Sequence, residues 1–498
     1  MLALFNQIKL SSIDFSSISS LFKSLKVDQA LKKSNIVKKR GYPVKELLSI
    51  LILITIQQNK SIFSGLRESH CTKLKTPVND LLNNPNYNWR NFLYLIAKQF
   101  MNLCPGEGSK YLIFDDTAKE KSGSMGEYIR WFYNHASNSF FKGYQHIQMA
   151  WYNNQTVIPV DSELKIGTSI VKHSRVGKYQ KGTHIEQRIR FSKKAKNDIV
   201  IQMIKRALQR NVKFDYVLWD SWFNSSKTLN FIFNTLVPRQ IHLISMLRND
   251  STNYRFNGTD KSHNLPLKGL RKKAGKWVTD ERTGIKVKTI IVDCLDVKSN
   301  HKISKRTSHG TAKIAYFKYP NVKHVKAIIS TNLELTGMEI LGHYLKRWSI
   351  ECLFKDLKQY HGYNQNKGSK YSALVADHTI RLATYIIFCL KKEQENRHVR
   401  QKKKKTTMQI FIDFKEELLE ITIKKVIKSC LTENLMSFLQ YLFDSGILTI
   451  EEAIRKSGTL IAMFFYEKDY HEKIEDIKIN HEKHKVHKRR LVGCMSTI

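Results

Sequence analysis

The chain has 498 residues, which is enough for two to four domains and a large core. Its 84 Lys and Arg residues against 43 Asp and Glu residues give a net charge of +41, which indicates a polyanionic partner. Hydrophobic residues make up 42% of the chain and aromatic residues 11%, and these proportions exclude a disordered basic arm.

Neither a membrane segment nor a disulfide framework is predicted. The most apolar run, Leu47 to Ile56, has about ten residues, whereas a bilayer-spanning helix needs about 20. The N-terminus lacks the basic stretch and long apolar stretch of a secretion signal. The seven cysteines are scattered, with no CxxC and no Cys/His pair at zinc spacing. We therefore expect a soluble, cytoplasmic protein with reduced thiols and without a membrane partner.

Residues 1 to about 105 are predicted to form a basic helical region. The run from Val44 to Gln58 is strongly apolar, and the basic cluster Lys38 to Arg40 precedes it. One stripe at helical spacing consists of Trp89, Phe92, Ile96 and Phe100. We expect region 1–105 to bind DNA or to mediate dimerisation, although a role in packing alone explains the pattern nearly as well.

From residue 106 the pattern changes to strands that alternate with helices. Tyr111 to Phe114 predicts a buried strand that ends in Asp115 and Asp116, and Phe214 to Trp219 predicts another that ends in Asp220. The further predicted elements are strands at 143–153, 156–164 and 241–247, a long basic helix at 184–210, and a helix that Ser225 or Ser226 caps. Over residues 106–247 this is the element order of an RNase H-like sheet.

Residues 248–331 contain several short β-like runs between Gly, Asn and Ser turns, which predict a β-rich insertion. Residues 332–392 return to the core with its last helix, and residues 393–498 predict a helical, basic C-terminal region. The predicted fold class is therefore α/β. It comprises an RNase H-like mixed sheet flanked by helices, a β-rich insertion before the last core helix, and helical terminal regions.

The stretch from Leu341 to Tyr360 predicts one continuous helix, because its apolar residues have helical spacing and it lacks proline. At about 100° per residue, one face carries Tyr344, Arg347, Glu351 and Lys358. Apolar residues flank this polar face on both sides, namely Leu345, Trp348 and Cys352 on one and Ile350, Leu353, Phe354 and Leu357 on the other. Such a face indicates a functional groove in which a carboxylate binds metal and the cations bind phosphate. Ordinary ion pairs on a surface helix are the alternative.

Carboxylates thus occupy three special places, which are Asp115 or Asp116 at one strand end, Asp220 at another, and Glu351 on the polar helix face. Clustered carboxylates repel one another unless a divalent cation lies among them, and an incomplete oxygen site favours Mg²⁺ or Mn²⁺. Two such ions can activate a water or a 3′-hydroxyl and stabilise the leaving oxygen of a phosphodiester. An Asp at a strand end is also a common turn or cap residue, and the choice between Asp115 and Asp116 stays open.

With these residues assembled, the chain resembles the DDE transposases of bacterial insertion sequences, in particular the insertion-sequence-four-like group. The signature of that group on the last catalytic helix is Tyr-x2-Arg-x3-Glu-x6-Lys, and it is matched in full by Tyr344, Arg347, Glu351 and Lys358. LIFDDT at 112–117 and VLWDSWF at 217–223 resemble the two acidic blocks of the group. The resemblance covers about residues 105 to 390.

The resemblance implies a DNA transposase that binds the terminal repeats of its insertion sequence, cuts them and transfers the strand, with Mg²⁺ or Mn²⁺ as cofactor and two ions expected. The implied metal-binding catalytic residues are Asp115 or Asp116, Asp220 and Glu351. The implied DNA contacts are Tyr344, Arg347 and Lys358 at phosphates, with Trp277 in the insertion as a candidate for stacking on a flipped base.

The resemblance also implies partners and a location. We expect a homodimer that acts on double-stranded DNA, both transposon ends and target, in the bacterial cytoplasm and on the nucleoid when bound. Two other functions are compatible with the sequence: a non-catalytic DNA-binding protein derived from a transposase, and an RNase H-like nuclease or resolvase.

Overall fold

A computed structural model describes residues 16–58, 61–68, 72–134, 137–256, 264–295, 308–320, 322–366, 368–397, 399 and 404–417. Residues 15–413 form one compact unit. A second unit combines residues 1–14 with 414–498 and, apart from 414–417, lies outside the described residues. The predicted C-terminal region 393–498 therefore falls mostly outside them as well.

Helices make up the N-terminal part of the described chain. They are α1 Ser16–Ser24, α2 Val27–Lys33, α3 Val44–Gln58, α4 Ile62–Glu68, α5 Lys75–Asn83 and α6 Trp89–Leu103. The Asn88 side chain accepts a hydrogen bond from Asn91 N at 3.0 Å and so caps α6 at its start. The predicted apolar stripe of α6 is buried, which fixes this helix against the rest of the unit.

Strands of the core follow in the order expected of an RNase H-like sheet. They are β1 Tyr111–Glu120, β2 Arg130–Asn134, β3 Ser139–Tyr152, β4 Val157–Lys165, β5 Tyr216–Trp219 and β6 His242–Met246. β3 pairs antiparallel with both β4 and β1, whereas β1, β5 and β6 are parallel. The spatial order β4-β3-β1-β5-β6 confirms the predicted fold class, and β2 adds one strand beside β3.

The β-rich insertion continues the same sheet. Its strands are β7 Asn253–Arg255, β8 Asn264–Pro266, β9 Val278–Thr279, β10 Lys286–Leu295, β11 Ser308–Lys318 and β12 Lys326–Ser330. One helix, α10 Leu267–Lys273, lies between β8 and β9. β12 pairs antiparallel with β6 of the core, so that the twelve strands within the described residues form one sheet. The chain leaves the core after β6 and returns directly beside it.

One continuous helix was predicted at 184–210, and this is wrong. The chain forms two helices there, α7 His184–Ser192 and α8 Lys196–Gln209. The carbonyl of Ser192 accepts a hydrogen bond from Ile166 N at 3.0 Å, and Ala195 is extended with φ −59° and ψ 150°. A contact with the end of β4 therefore ends α7. The helix for which Ser225 or Ser226 was the predicted cap is α9 Ser226–Phe231, which Ser225 caps.

The predicted single helix over 341–360 is also two helices, α11 Gly337–Leu345 and α12 Trp348–Gln359. Between them the hydrogen bonds tighten to the i to i−3 pattern of a 3₁₀ turn, with Lys346 N donating to His343 O at 3.2 Å and Arg347 N to Tyr344 O at 2.9 Å. The turn changes the angular relation between Tyr344 on α11 and Glu351 on α12.

A last helix, α13 Tyr371–Asn396, runs through the interior. It is long and apolar enough to cross a membrane, but its apolar window is wholly buried inside the protein, as in a core helix. Within it, Arg381 and Asp377 form a buried ion pair at 3.0 Å. This helix therefore serves as a packing surface for the N-terminal helices and the sheet.

A buried ionic network joins the N-terminal helices to the core. Arg90 of α6, Arg188 of α7 and Arg206 of α8 converge on Asp161 and Glu163 of β4. The Arg206–Asp161 ion pair measures 2.7 Å, and the Arg188–Glu163 ion pair 3.2 Å. Burial opposes ionisation of Asp161, but Arg206 and Arg90 outweigh it and lower the pKa of this carboxyl. Asp161 is thereby held in the charged form inside the protein.

Candidate active site

Asp115 and Asp116 lie in the middle of β1 and not at a strand end as predicted, because pairing with β3 continues the strand to Glu120. The two acids point to opposite faces of the sheet, because successive strand residues alternate. Asp116 faces α8, where it forms an ion pair with Lys196 and accepts a hydrogen bond from Gln145 Nε2 at 2.5 Å. Asp115 faces α12, where its carboxylate lies 3.4 Å from Arg347 Nη1. The two acids therefore lie in different environments, and of the two Asp115 contacts the polar helix face.

Arg347 links the strand to the helix. Its guanidinium pairs with Asp115 and also with Glu351 one turn further along α12. At the far end of this helix, Lys358 Nζ donates to Thr117 Oγ1 at 2.8 Å, and Thr117 shares the Asp115 face of β1. The polar line that the sequence predicts on this helix thus lies along β1.

Asp220 follows β5, the strand beside β1, and lies at the same level of the sheet as Asp115. β1 and β5 are parallel with Tyr111 opposite Tyr216 and Ile113 opposite Leu218, and this register brings Asp220 level with Asp115. Adjacent strands are about 4.8 Å apart. The Asp220 carboxylate accepts a hydrogen bond at 2.5 Å from Ser221 N, which starts a short 3₁₀ turn.

The phenol of Tyr344 completes this cluster from α11. Burial raises its pKa to about 12; Arg347 opposes the rise, while the negative charges of Asp220 and Asp115 add to it. Tyr344 therefore lies close enough to Asp115 and Asp220 for both carboxylates to affect its pKa. Its hydroxyl keeps its proton at neutral pH and is a hydrogen-bond donor.

The carboxyl of Asp115 is largely buried and lies close to other acids. Burial and the negative charge of Asp116 raise its pKa to about 7, and Glu351 adds to the rise, whereas the Asp116 N–H and Arg347 lower it. A largely buried carboxylate with other acids close to it is a suitable ligand for a hard divalent cation. Among the residues that the structure describes, no three acidic, His or Cys side chains are grouped at metal-binding distance. Arg347 supplies the positive charge between Asp115 and Glu351.

Apolar walls were predicted on both sides of the polar face, but only one of the two apolar flanks is buried. The flank of α12 that contains Ile350, Leu353, Phe354 and Leu357 is buried in the core. On the opposite flank, Leu345 is 59% exposed and Trp348 is 61% exposed, and Cys352 is also exposed. The polar face is therefore bounded by core on one side and opens to solvent on the other, because periodicity cannot say which apolar flank meets the sheet.

Trp277 lies away from these contacts. It packs, partly buried, against the hydrophobic cluster of the insertion, which includes Leu270, Val292 and Ile314. Lys288 Nζ lies 4.9 Å from the centre of its ring. Within the described parts of the chain, the contacts of Trp277 do not join it to the carboxylates.

Sequence reasoning missed several residues of this site. Lys196 pairs with Asp116 and lies over the ring of Phe223 at 4.4 Å, so it contacts both the middle of β1 and the turn that follows Asp220. Beside Asp220, Arg248 stacks on Trp222 and donates to Ser221 Oγ at 3.3 Å. No sequence pattern points to Lys196, because lysine is common throughout the chain. For the contact of Arg248, the sequence offered one indication, which is the pair Trp222 and Phe223 directly after Asp220.

Comparison with known proteins places the chain in a family. Among solved structures it is similar to the NurA nuclease from Sulfolobus solfataricus, with 12% identity over 66% of this chain and 99% of that one; the TM-score is 0.20, too low to bear on the fold. No curated protein matches the sequence. The family model described as "DDE superfamily endonuclease" matches residues 47–296, which include Asp115 and Asp220 but end before α12. Because this match spans half of the 498 residues, the chain belongs to the DDE superfamily endonucleases and is a nuclease with DNA as its substrate.

Proposed function

We propose that this nuclease is a cut-and-paste transposase, which cleaves DNA at the terminal repeats of its insertion sequence and joins the freed end to target DNA. One observation supports this most strongly. Asp115 and Glu351, far apart in sequence, meet at Arg347, and the strand register aligns Asp220 with Asp115. These are the acids of the Tyr-Arg-Glu-Lys signature and of the two acidic blocks.

Asp115, Asp220 and Glu351 are the residues that would hold Mg²⁺ or Mn²⁺, with two ions expected. The metal would supply charge compensation at the phosphodiester and activation of the attacking oxygen. We assign Asp116 a supporting role, since Lys196 and Gln145 already satisfy it on the opposite face of β1.

Three side chains of the polar line are proposed to bind DNA phosphates. Arg347 is paired with Asp115 and Glu351; once these acids act as ligands, its guanidinium is released towards a phosphate. Tyr344 remains a neutral donor because its pKa is raised. Lys358 reaches the strand beyond Asp115 and would hold a phosphate next to the one that is cut. Together they fix the substrate without a covalent intermediate.

The proposed assembly is a homodimer on two paired DNA ends, located on the nucleoid in the cytoplasm. The helical region 1–105 is the proposed contact for the DNA ends or for the second copy. Its buried link to the core through Arg90 means that it would position DNA together with the catalytic sheet.

Cleavage and joining of end DNA test the proposal. The substrate carries the inverted repeats that bracket the gene, and the assay contains Mg²⁺ and a target plasmid. Wild-type protein is expected to give cleaved ends and joined products, and Glu351→Gln neither, with DNA binding kept. Glu334→Gln, an exposed Glu close in sequence but outside the site, is the matched control and should keep activity. Uncut end DNA with wild-type protein would refute the proposal.

A nuclease or resolvase without joining activity is the second candidate, favoured by the endonuclease description of the family. It predicts cleavage of branched or unrelated DNA and no joined products in the same assay. A non-catalytic DNA-binding protein predicts that replacing Asp115, Asp220 and Glu351 together changes nothing; the presence of all three acids argues against it.

A further inference from the structure

An aromatic hairpin extends from the core sheet. β2 and the first residues of β3 form it, and three of its side chains are large, aromatic and exposed: Trp131 at 42%, Tyr133 at 43% and Phe140 at 70%. Large apolar side chains concentrated at such exposure usually mark a binding surface. The established family and the proposed site make no use of them.

The strand register collects these rings on one face. Trp131 pairs with Lys142 and Tyr133 with Phe140, so the four side chains point the same way. Tyr133 and Phe140 contact each other edge to face, with ring centres 5.1 Å apart. On the reverse face Phe132 and Phe141 stack at 5.5 Å, and Gly167 lies closely against Phe132. The exposed rings therefore lie on a hydrogen-bonded hairpin whose reverse face is packed against other residues.

A segment beside the start of β2 becomes basic as it continues past residues 126–128, where Arg175 forms a backbone β-bridge with Glu127 and Tyr128 N donates to Arg175 O at 2.8 Å. Trp131 N donates to Ser169 O at 3.0 Å, and the backbones of Arg130 and Ile170 form an antiparallel β-bridge. From residue 166 to 185 this segment contains no Asp or Glu, and its Lys and Arg side chains are all exposed: Lys172, Arg175, Lys178 and Lys181. The cations thus follow the base of the hairpin, before the exposed rings of β2 and β3. Cations and exposed aromatic rings that follow one another along a surface are typical of proteins that bind nucleic acid.

The hairpin lies beyond the end of the strand that carries Asp115. β1 pairs with β3 from Asp116 opposite Ile147 to Glu120 opposite Gly143, and β3 continues past this point into the hairpin. Phe140 precedes Ile147 by seven residues, which corresponds to about 23 Å along the strand. A DNA strand that passes from the catalytic acids along the sheet would reach the rings roughly seven nucleotides from the cut, at about 3.4 Å per base.

We propose that the outer face of this hairpin is a stacking platform for unpaired bases of the DNA next to the cleavage site, and that the basic segment holds the phosphates of the same strand. The inference rests on the proposed DNA substrate and adds the form of DNA that is bound. Base faces are accessible to flat rings only where the strands are separated. A second copy of the chain is a poor occupant, because each copy has a net charge of +41 and the neighbouring segment is basic.

Binding to two matched DNAs tests this platform. One is a perfect duplex of the end sequence, and the other has the same sequence with about ten unpaired nucleotides beside the cleavage position; both carry a fluorophore for anisotropy. Wild-type protein should bind the second DNA more tightly. Phe140→Leu keeps an apolar side chain but removes the ring, and should weaken binding to this DNA at least fivefold, since stacking is worth about 1–3 kcal/mol per base. Phe140→Trp should keep the preference.

Matched variants separate stacking from other causes. Ile291→Ala removes an exposed apolar side chain of the insertion and should leave both affinities unchanged. Lys172→Ala with Lys178→Ala should weaken binding to both DNAs and reduce the salt dependence. Thermal unfolding of each variant confirms that the protein is folded.

The outcomes that overturn the platform are distinct. Equal affinity of wild-type protein for both DNAs, or a preference that survives Phe140→Leu, contradicts base stacking. A loss of self-association in Phe140→Leu with unchanged DNA affinity would assign the face to a second copy. Wild-type protein that binds neither DNA would refute the proposed function itself, whereas tight duplex binding without preference refutes the platform alone.

Discussion

Asp115→Asn is expected to stabilise the metal-free protein while it abolishes DNA cleavage. Burial, together with Asp116 and Glu351, raises the pKa of Asp115 from 3.8 to about 7. A raised pKa means that the folded state favours the protonated acid. This contribution to stability is complete below about pH 4 and is lost as the pH rises through about 7. An asparagine, which has nearly the same shape and no charge, does not suffer this loss.

The magnitude follows from the size of the pKa shift. About three pKa units correspond to about 4 kcal/mol of unfolding free energy as an upper estimate. For a unit of about 400 residues, such as 15–413, this is about 5 °C in Tm. The Tm difference between the variant and the wild type should be small at about pH 4 and should grow towards about pH 8.

Thermal unfolding in a buffer with a metal chelator measures this difference. Asp80→Asn, at an exposed position of α5, is the matched control and should show no pH-dependent gain. A Tm difference that does not change with pH, or a lower Tm of Asp115→Asn at about pH 8, would contradict this expectation. The first result would mean that Asp115 is not crowded by negative charge; the second would mean that its pairing with Arg347 dominates.

Further predictions concern the metal, the ionic network and the DNA contact. Mg²⁺ at 100 times its Kd should stabilise the wild type by about 2.7 kcal/mol and should have little effect on Glu351→Gln, as measured by Tm. Glu163→Ala leaves Arg90 and Arg188 without this partner in the interior, and should cost about 3–5 kcal/mol and lower the Tm by several degrees. Lys358→Ala should weaken DNA binding and reduce the slope of log affinity against log salt by about one.

Each of these predictions has a contrary result. An equal Tm gain with Mg²⁺ in wild type and Glu351→Gln would show that this acid is not a ligand. An unchanged Tm for Glu163→Ala would mean that water or a shift of α6 replaces the ion pairs. If Lys358→Ala leaves the salt slope unchanged, this lysine serves only to hold Thr117.

The sequence predicted the sheet well because its signals are local. Apolar runs that end in Asp115 and Asp220 identify buried strands, whereas the parallel register of β1 and β5 was not predicted and is seen only in the structure. The helix face with Glu351 was found from its period alone. Local periodicity and turn chemistry were therefore sufficient for the order of β1, β3, β4, β5 and β6, but β2 was not predicted.

The errors arose where tertiary contacts override periodicity. The bond from Ile166 to Ser192 ends α7, and the tight turn at Lys346 and Arg347 divides the predicted helix. A period of two places Asp115 and Asp116 on opposite faces but cannot say which face meets α12. Only the packing of the helix decides this, as it decides which flank of the helix is buried.

The return of the insertion beside its own point of departure has a consequence for how such a protein can be remodelled. β6 and β12 pair antiparallel with Met246 opposite Ile328, so the backbone on either side of the insertion is only about 5 Å apart. A two-residue turn could close this gap as a hairpin. About 80 residues could then be gained or lost in one genetic event, or removed by protein engineering, without moving the strands that carry Asp115 and Asp220.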